Sequence, residues 1–119
     1  MKIWKIGLLV EDYDKAKDYY VNVLGLAVID ENPRAIHLDG GPVRIELIRK
    51  EVFEGDPNLG NPGFHHISFK VDDIESKSSE LKSKGVAFIK EPFEIVDNLK
   101  LAFFDGLNGV NLQLFDDKR

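Results

Sequence analysis

The chain repeats itself, and the repeat limits the folds open to it. Lys5-Ile6-Gly7-Leu8 lies over His66-Ile67-Ser68-Phe69, and Val10-Glu11-Asp12 lies over Val71-Asp72-Asp73. After a one-residue slip, Gly25-Leu26-Ala27-Val28-Ile29 matches Gly85-Val86-Ala87-Phe88-Ile89. Farther on, Asp39-Gly40 matches Asp105-Gly106, and residues 42–47 match 109–114. Any two amphipathic stretches share some apolar pattern. Matches that agree in order, with Asp and Gly among them, point instead to a duplicated module. A chain of 119 residues has room for one hydrophobic core. The expectation is a single domain over 1–119: module one 1–50, a linker 51–62 marked by Gly55, Pro57, Gly60 and Pro62, and module two 63–119.

Each module reads as strand, helix and three strands, an α+β arrangement. Residues 3–10 are a short apolar run with a period of two, closed by acids. Asp12 is placed to cap a helix, its carboxylate accepting from first-turn amides, and Asp73 is its repeat mate. Ala16, Tyr19, Tyr20, Val23 and Leu24 recur at helical spacing before Gly25, which supplies a left-handed stop; Ile74, Leu81 and Gly85 do so in module two. Strands are expected over 26–30, 34–38 and 43–48, with turns at Asn32-Pro33 and Gly40-Gly41-Pro42. Their counterparts are 86–90, 99–104 and 110–115, with a tight connection over 105–109.

Composition removes several functions. There are no cysteines, so disulfides, thiolate nucleophiles, zinc knuckles and iron–sulfur clusters are excluded together. Against 21 Asp and Glu stand 16 Lys and Arg, a net charge of −5, which argues against nucleic acid or an anionic membrane as partner. No apolar run approaches the roughly 18 residues of a spanning helix. The N-terminal stretch alternates and ends in acids, which does not read as a signal peptide, so a cytoplasmic location is the expectation.

Side chains alternate along a strand, so one parity meets the helices and the other faces away from them. Val43, Ile45 and Leu47 are apolar and belong with the helix, which turns Arg44, Glu46 and Ile48 to the other face. In the second module Val110, Leu112 and Leu114 turn Asn111, Gln113 and Phe115 the same way, and Ile67, Phe69 and Val71 do so for His66, Ser68 and Lys70. Lys5, Gly7 and Leu9 complete the set. If the two curved sheets pack about a pseudo-twofold axis, these faces line a ligand cup. Lys5, Arg44, Glu46, His66, Ser68, Asn111 and Gln113 would then converge on it. A lone polar residue there is more often a satisfied core group, but repeat-equivalent placement of Lys5 with His66, and of Glu46 with Gln113, favours a site. His65 has the opposite parity and reads as a hydrogen-bonded histidine packed toward the helix side. His37, level with Phe103 in the repeat, reads as structural or surface-exposed. Tyr19-Tyr20 reads as core.

On residues 5–12, 19–26, Arg44-Ile45-Glu46-Leu47-Ile48, 63–74 with His65-His66-Ile67-Ser68-Phe69, and 102–109 followed by Asn111-Leu112-Gln113-Leu114-Phe115, the chain resembles the vicinal oxygen chelate superfamily. That superfamily includes glyoxalase I, methylmalonyl-CoA epimerase, bleomycin- and fosfomycin-resistance proteins and extradiol dioxygenases. The resemblance implies two βαβββ modules around a cup-shaped cavity, and it identifies a fold more sharply than a reaction. In metal-dependent members one ligand comes from the first and last strand of each module. Carried over, those positions are Lys5, Glu46, His66 and Gln113. A divalent ion (Ni, Zn, Co, Mn or Fe) would have Glu46, His66 and Gln113 as ligands. Lys5 departs from the pattern, because a protonated amine has no lone pair and repels a cation. Gln113 brings an oxygen without charge. The set predicts weak metal binding or none, with the Lys5 ammonium in the place of the cation.

The resemblance implies an enzyme of the glyoxalase or epimerase kind, a lyase or isomerase that removes a proton next to a carbonyl. Glu46, His66 and Lys5 would be catalytic, and Arg44, Ser68, Asn111 and Gln113 would bind substrate. The alternative is a non-catalytic binder of a small molecule such as an antibiotic, as in the bleomycin-resistance branch. A scaffold whose cup is filled by its own side chains is a further one. The expected partner is a small-molecule ligand. Similar modules often pair between chains, which favours a homodimer.

Overall fold

The computed structural model describes residues 1–107 and 109–119. Asn108, in the turn expected before the last strand, lies outside the described residues. The fold is mixed α+β and forms two compact units, Lys5–His65 and a second made of His66–Arg119 with Met1–Trp4. Among the described residues no helix is long and apolar enough to cross a membrane.

The first unit carries most of β1 (Lys2–Val10), then α1 (Tyr13–Asp18), β2 (Val28–Glu31), β3 (Ala35–Asp39) and β4 (Arg44–Arg49). Its strands lie in the order β2-β3-β4-β1, with β1 parallel to β4 and the hairpins antiparallel. Asp12 caps α1 as expected, accepting from the Lys15 amide at 3.1 Å. The helix then widens into a π turn, Tyr19–Val23, closed by a bond from the Leu24 amide to the Tyr19 carbonyl at 2.9 Å. That change of period alters which side chains face inward. Tyr20 and Val21 pack on the core, whereas Tyr19, Val23 and Leu24 are exposed, against the helical spacing read from the sequence. Gly25 ends the segment at φ +78°, where a side chain would be strained.

Tyr13, Ile36, Leu38 and Leu47 form the buried centre of this unit, with Leu8, Val10, Ala16, Tyr20, Leu26 and Ile45 around it. Burial of each large apolar side chain contributes about 1.5–3 kcal/mol, and Leu47→Ala would cost about 2–5 kcal/mol. The other sheet face holds Leu9, Ala35 and Ile48, covered by Val52 and Phe53. The linker is therefore structured where it begins: Lys50–Phe53 is a 3₁₀ turn, and Leu59 is fully buried.

The second unit repeats the plan with most of β5 (Gly63–Lys70), then α2 (Ile74–Ser83), β6 (Phe88–Val96), β7 (Leu99–Asp105) and β8 (Asn111–Asp117). Its order is β5-β8-β7-β6, the same sequence of neighbours as in the first unit. Asp73 caps α2 through the Ser76 amide at 3.0 Å, and Asp116 accepts from the Ile74 amide at 3.0 Å. Ile74, Ala102, Phe104 and Leu114 make its core, with Phe69, Leu81, Val86 and Phe88. β6 runs well past residue 90, through Pro92, because an edge strand has no ladder partner for the missing N–H, and its pairing with β7 is irregular on both sides of that proline.

Candidate functional site

In the first unit, register places the polar residues. Lys5 stands opposite Arg44, and Gly7 opposite Glu46, across the parallel pair β1/β4. Across the hairpin β3/β4, His37 stands opposite Glu46. All five share the face that also carries Leu9, Ala35 and Ile48. The Lys5 ammonium donates to Glu46 Oε2 at 3.2 Å, and the two side chains are only 4% and 12% exposed. His37 Nε2 meets the same oxygen at 2.8 Å. Arg44 Nη1 reaches His37 Nδ1 at 3.3 Å. Lys5, Glu46 and Arg44, singled out by alternation, are thus brought into one network, and His37 is the member that joins them.

At 3.2 Å a unit charge pair attracts by about 5 kcal/mol at an effective dielectric near 20, before desolvation. Desolvation offsets most of that, so the pair organises the site more than it stabilises the fold. Burial pushes the Lys5 ammonium below the ordinary lysine range; Glu46 opposes that shift, while the positive charges of Arg34 and Arg44 add to it.

In the second unit Ser68 and Gln113 are register partners on β5 and β8. Trp4 Nε1 donates to Ser68 Oγ at 3.2 Å, and Ser68 Oγ donates to Gln113 Oε1 at 2.7 Å. An indole N–H only donates, so the serine hydroxyl keeps its own proton for the amide oxygen. Both side chains are fully buried. His66 is buried as well, edge-on to Phe103 with ring centres 5.7 Å apart. Asn111 is half-buried at the start of β8, opposite Asp105. His65 is hydrogen-bonded as expected, but the linker supplies its partners. Its Nε2 meets the Leu59 carbonyl at 2.6 Å, and its ring stacks on Phe53 at 4.7 Å. Burial lowers its pKa.

These donors do not suit a divalent cation. Glu46 Oε2 already accepts from an ammonium and an imidazole, and Gln113 offers an oxygen that accepts from Ser68. Among the described residues no group of three or more His, Cys, Asp or Glu is placed to hold a metal ion.

Two participants were not singled out from the sequence. Trp4 gave no signal beyond being a tryptophan. His37 had one: a hairpin closing at Gly40-Gly41-Pro42 sets residue 37 across from 46.

The family profile described as Glyoxalase/Bleomycin resistance protein/Dioxygenase superfamily matches residues 2–114. The chain belongs to that superfamily. Within it, the chain is 33% identical over 110 residues to lactoylglutathione lyase of Schizosaccharomyces pombe, covering 69% of this chain and 36% of the lyase. It is 28% identical over 111 residues to mitochondrial methylmalonyl-CoA epimerase of Homo sapiens, covering 78% of this chain and 62% of that protein. The chain thus spans about a third of the lyase and less than two thirds of the epimerase. The crystal structure of hypothetical protein BH1468 from Bacillus halodurans C-125 has a similar fold, with a TM-score of 0.78 at 25% identity, covering 99% of this chain and 95% of that one.

Proposed function

We propose that this superfamily member is a small-molecule enzyme that moves a proton on a carbon next to a carbonyl, in the manner of a glyoxalase or epimerase. The observation that carries the reading is the buried contact between the Lys5 ammonium and the Glu46 carboxylate. In such a step the substrate's C–H bond breaks, the proton goes to Glu46 and the electron pair moves onto the carbonyl oxygen. The negative charge leaves the carboxylate and appears on that oxygen. An ammonium that turns from the neutralised carboxylate to that oxygen stabilises the product of the shift, the electrostatic work a metal does elsewhere in the superfamily. Arg44 strengthens the positive field around the same carboxylate. His66 is proposed as an acid, and Ser68, Asn111 and Gln113 as ligand-contacting groups. A homodimer in the cytoplasm belongs to the same proposal.

The test is exchange of a substrate α-proton with deuterated solvent, run on hemithioacetals and 2-methyl acyl thioesters with and without divalent ions. Label entering with wild type and lost in Glu46→Gln supports the reading. No exchange and no turnover with any ion ends it. A second reading, a non-catalytic small-molecule binder, is favoured by the two donors already seated on Glu46 Oε2. Saturable ligand binding without exchange would establish it.

A further inference from the structure

We infer that His37 is a positioning residue for Glu46, held by Arg44 in the tautomer that donates to the carboxylate. The inference rests on the reading of Glu46 as the base. Its geometry is that of a directed chain. A guanidinium has only donors, so the ring nitrogen it meets, Nδ1 at 3.3 Å, presents a lone pair. A neutral imidazole with a lone pair on Nδ1 carries its proton on Nε2. That proton points at Glu46 Oε2, 2.8 Å away. Arg44 therefore decides what His37 offers, and His37 helps decide where Glu46 sits.

Two chemical consequences follow. His37 does not relay the substrate's proton, because Nε2 already bears one and Nδ1 faces a cation. It acts through Glu46 and not on substrate. Second, Lys5 and His37 both donate to Oε2, and a carboxylate oxygen has two lone pairs. Both lone pairs of Oε2 are thereby engaged, so its direction is set by two donors on different strands. The repeat shows that this is a local arrangement and not a requirement of the fold. The place opposite Gln113 on β7 is held by Phe103, which has no hydrogen bond to give.

The test uses the intact chain labelled with nitrogen-15. It has three histidines, so loss of one ring's signals in His37→Gln assigns them. The expected spectrum shows a slowly exchanging proton on Nε2 and a bare Nδ1 whose resonance moves in Arg44→Leu. A proton on Nδ1, or an Nδ1 resonance indifferent to Arg44→Leu, overturns the inference. In turnover, His37→Leu is expected to lower kcat about ten- to a hundredfold with KM little changed, the range for a lost hydrogen bond to a charged group. His37→Gln keeps an N–H donor and is expected to recover most of that loss. Equal kcat in wild type and His37→Leu overturns the positioning role. Absence of any turnover in wild type sinks the proposed reaction instead, and the spectrum still decides the tautomer and the Arg44 contact.

Discussion

The two units share a strand order and a register, yet they solve the same problem in opposite ways. Glu46 and Gln113 are register-equivalent on the last strand of each module, opposite Gly7 and Ser68 respectively. The first unit holds a charge there and surrounds it with an ammonium, an imidazole and, behind that, a guanidinium. The second holds a neutral amide and fixes it through a hydroxyl and an indole. A buried charge needs donors from several strands, because one neutral hydrogen bond does not replace its hydration. A buried amide needs far less. The two units present one frame twice, and the charge on a single side chain goes with how polar each frame is.

That contrast can be broken in order of expected effect. Glu46→Gln makes the first unit resemble the second, and proton exchange with solvent should fall about a thousandfold, within the range for loss of a general base. Gln113→Leu should leave far more exchange. Equal losses would show that the charge is not what distinguishes the units. Next, Lys5→Met takes the ammonium from a mostly buried carboxylate and leaves its contact with the His37 ring in place. Unfolding in urea should show a loss of about 3 kcal/mol, and Lys5→Met with Glu46→Leu should regain most of it. Lys5→His removes the built-in cation and adds a metal ligand, so elemental analysis should find a divalent ion in this variant at a higher occupancy than in wild type.

Smaller effects belong to the neutral network. Ser68→Ala leaves the Gln113 oxygen without its donor and should cost about 1–2 kcal/mol in chemical denaturation, with a change in Trp4 fluorescence. The smallest is a pH effect at His65. Burial lowers its folded pKa, so the unfolded chain binds the proton more readily. The stability from the neutral ring is full above the ordinary histidine value, near 6.5, and is lost as pH falls toward the depressed folded value. Melting temperature should drop across that window, and His65→Phe should flatten the drop. An unchanged slope in the variant would exclude His65 as its source.

Much of this was legible in the residues. Matched Asp and Gly fixed the repeat, both caps formed where Asp12 and Asp73 stand, and strand parity put Lys5, Arg44 and Glu46 on one face. Parity assigns a face but not a neighbour, so His37 looked peripheral until the hairpin register set it against Glu46. The π turn at Tyr19–Val23 was hidden because tyrosine, valine and asparagine fit either helical period, and only the backbone bond from Leu24 reveals it. The strand expected over 86–90 runs on to Val96 because Pro92 lies on an edge strand, where its missing N–H has no ladder partner to lose. The path of the linker depended on Leu59 and His65 finding each other, a tertiary contact that local composition does not encode.

Gly7 gives the contrast a genetic dimension. It is the register mate of Glu46, as Ser68 is of Gln113. Some glycine codons become serine codons by one base change, and a hydroxyl at position 7 would bring a new donor toward the carboxylate. A Gly7→Ser exchange would therefore carry the hydroxyl of the second unit into the first, beside the charged member of the register pair.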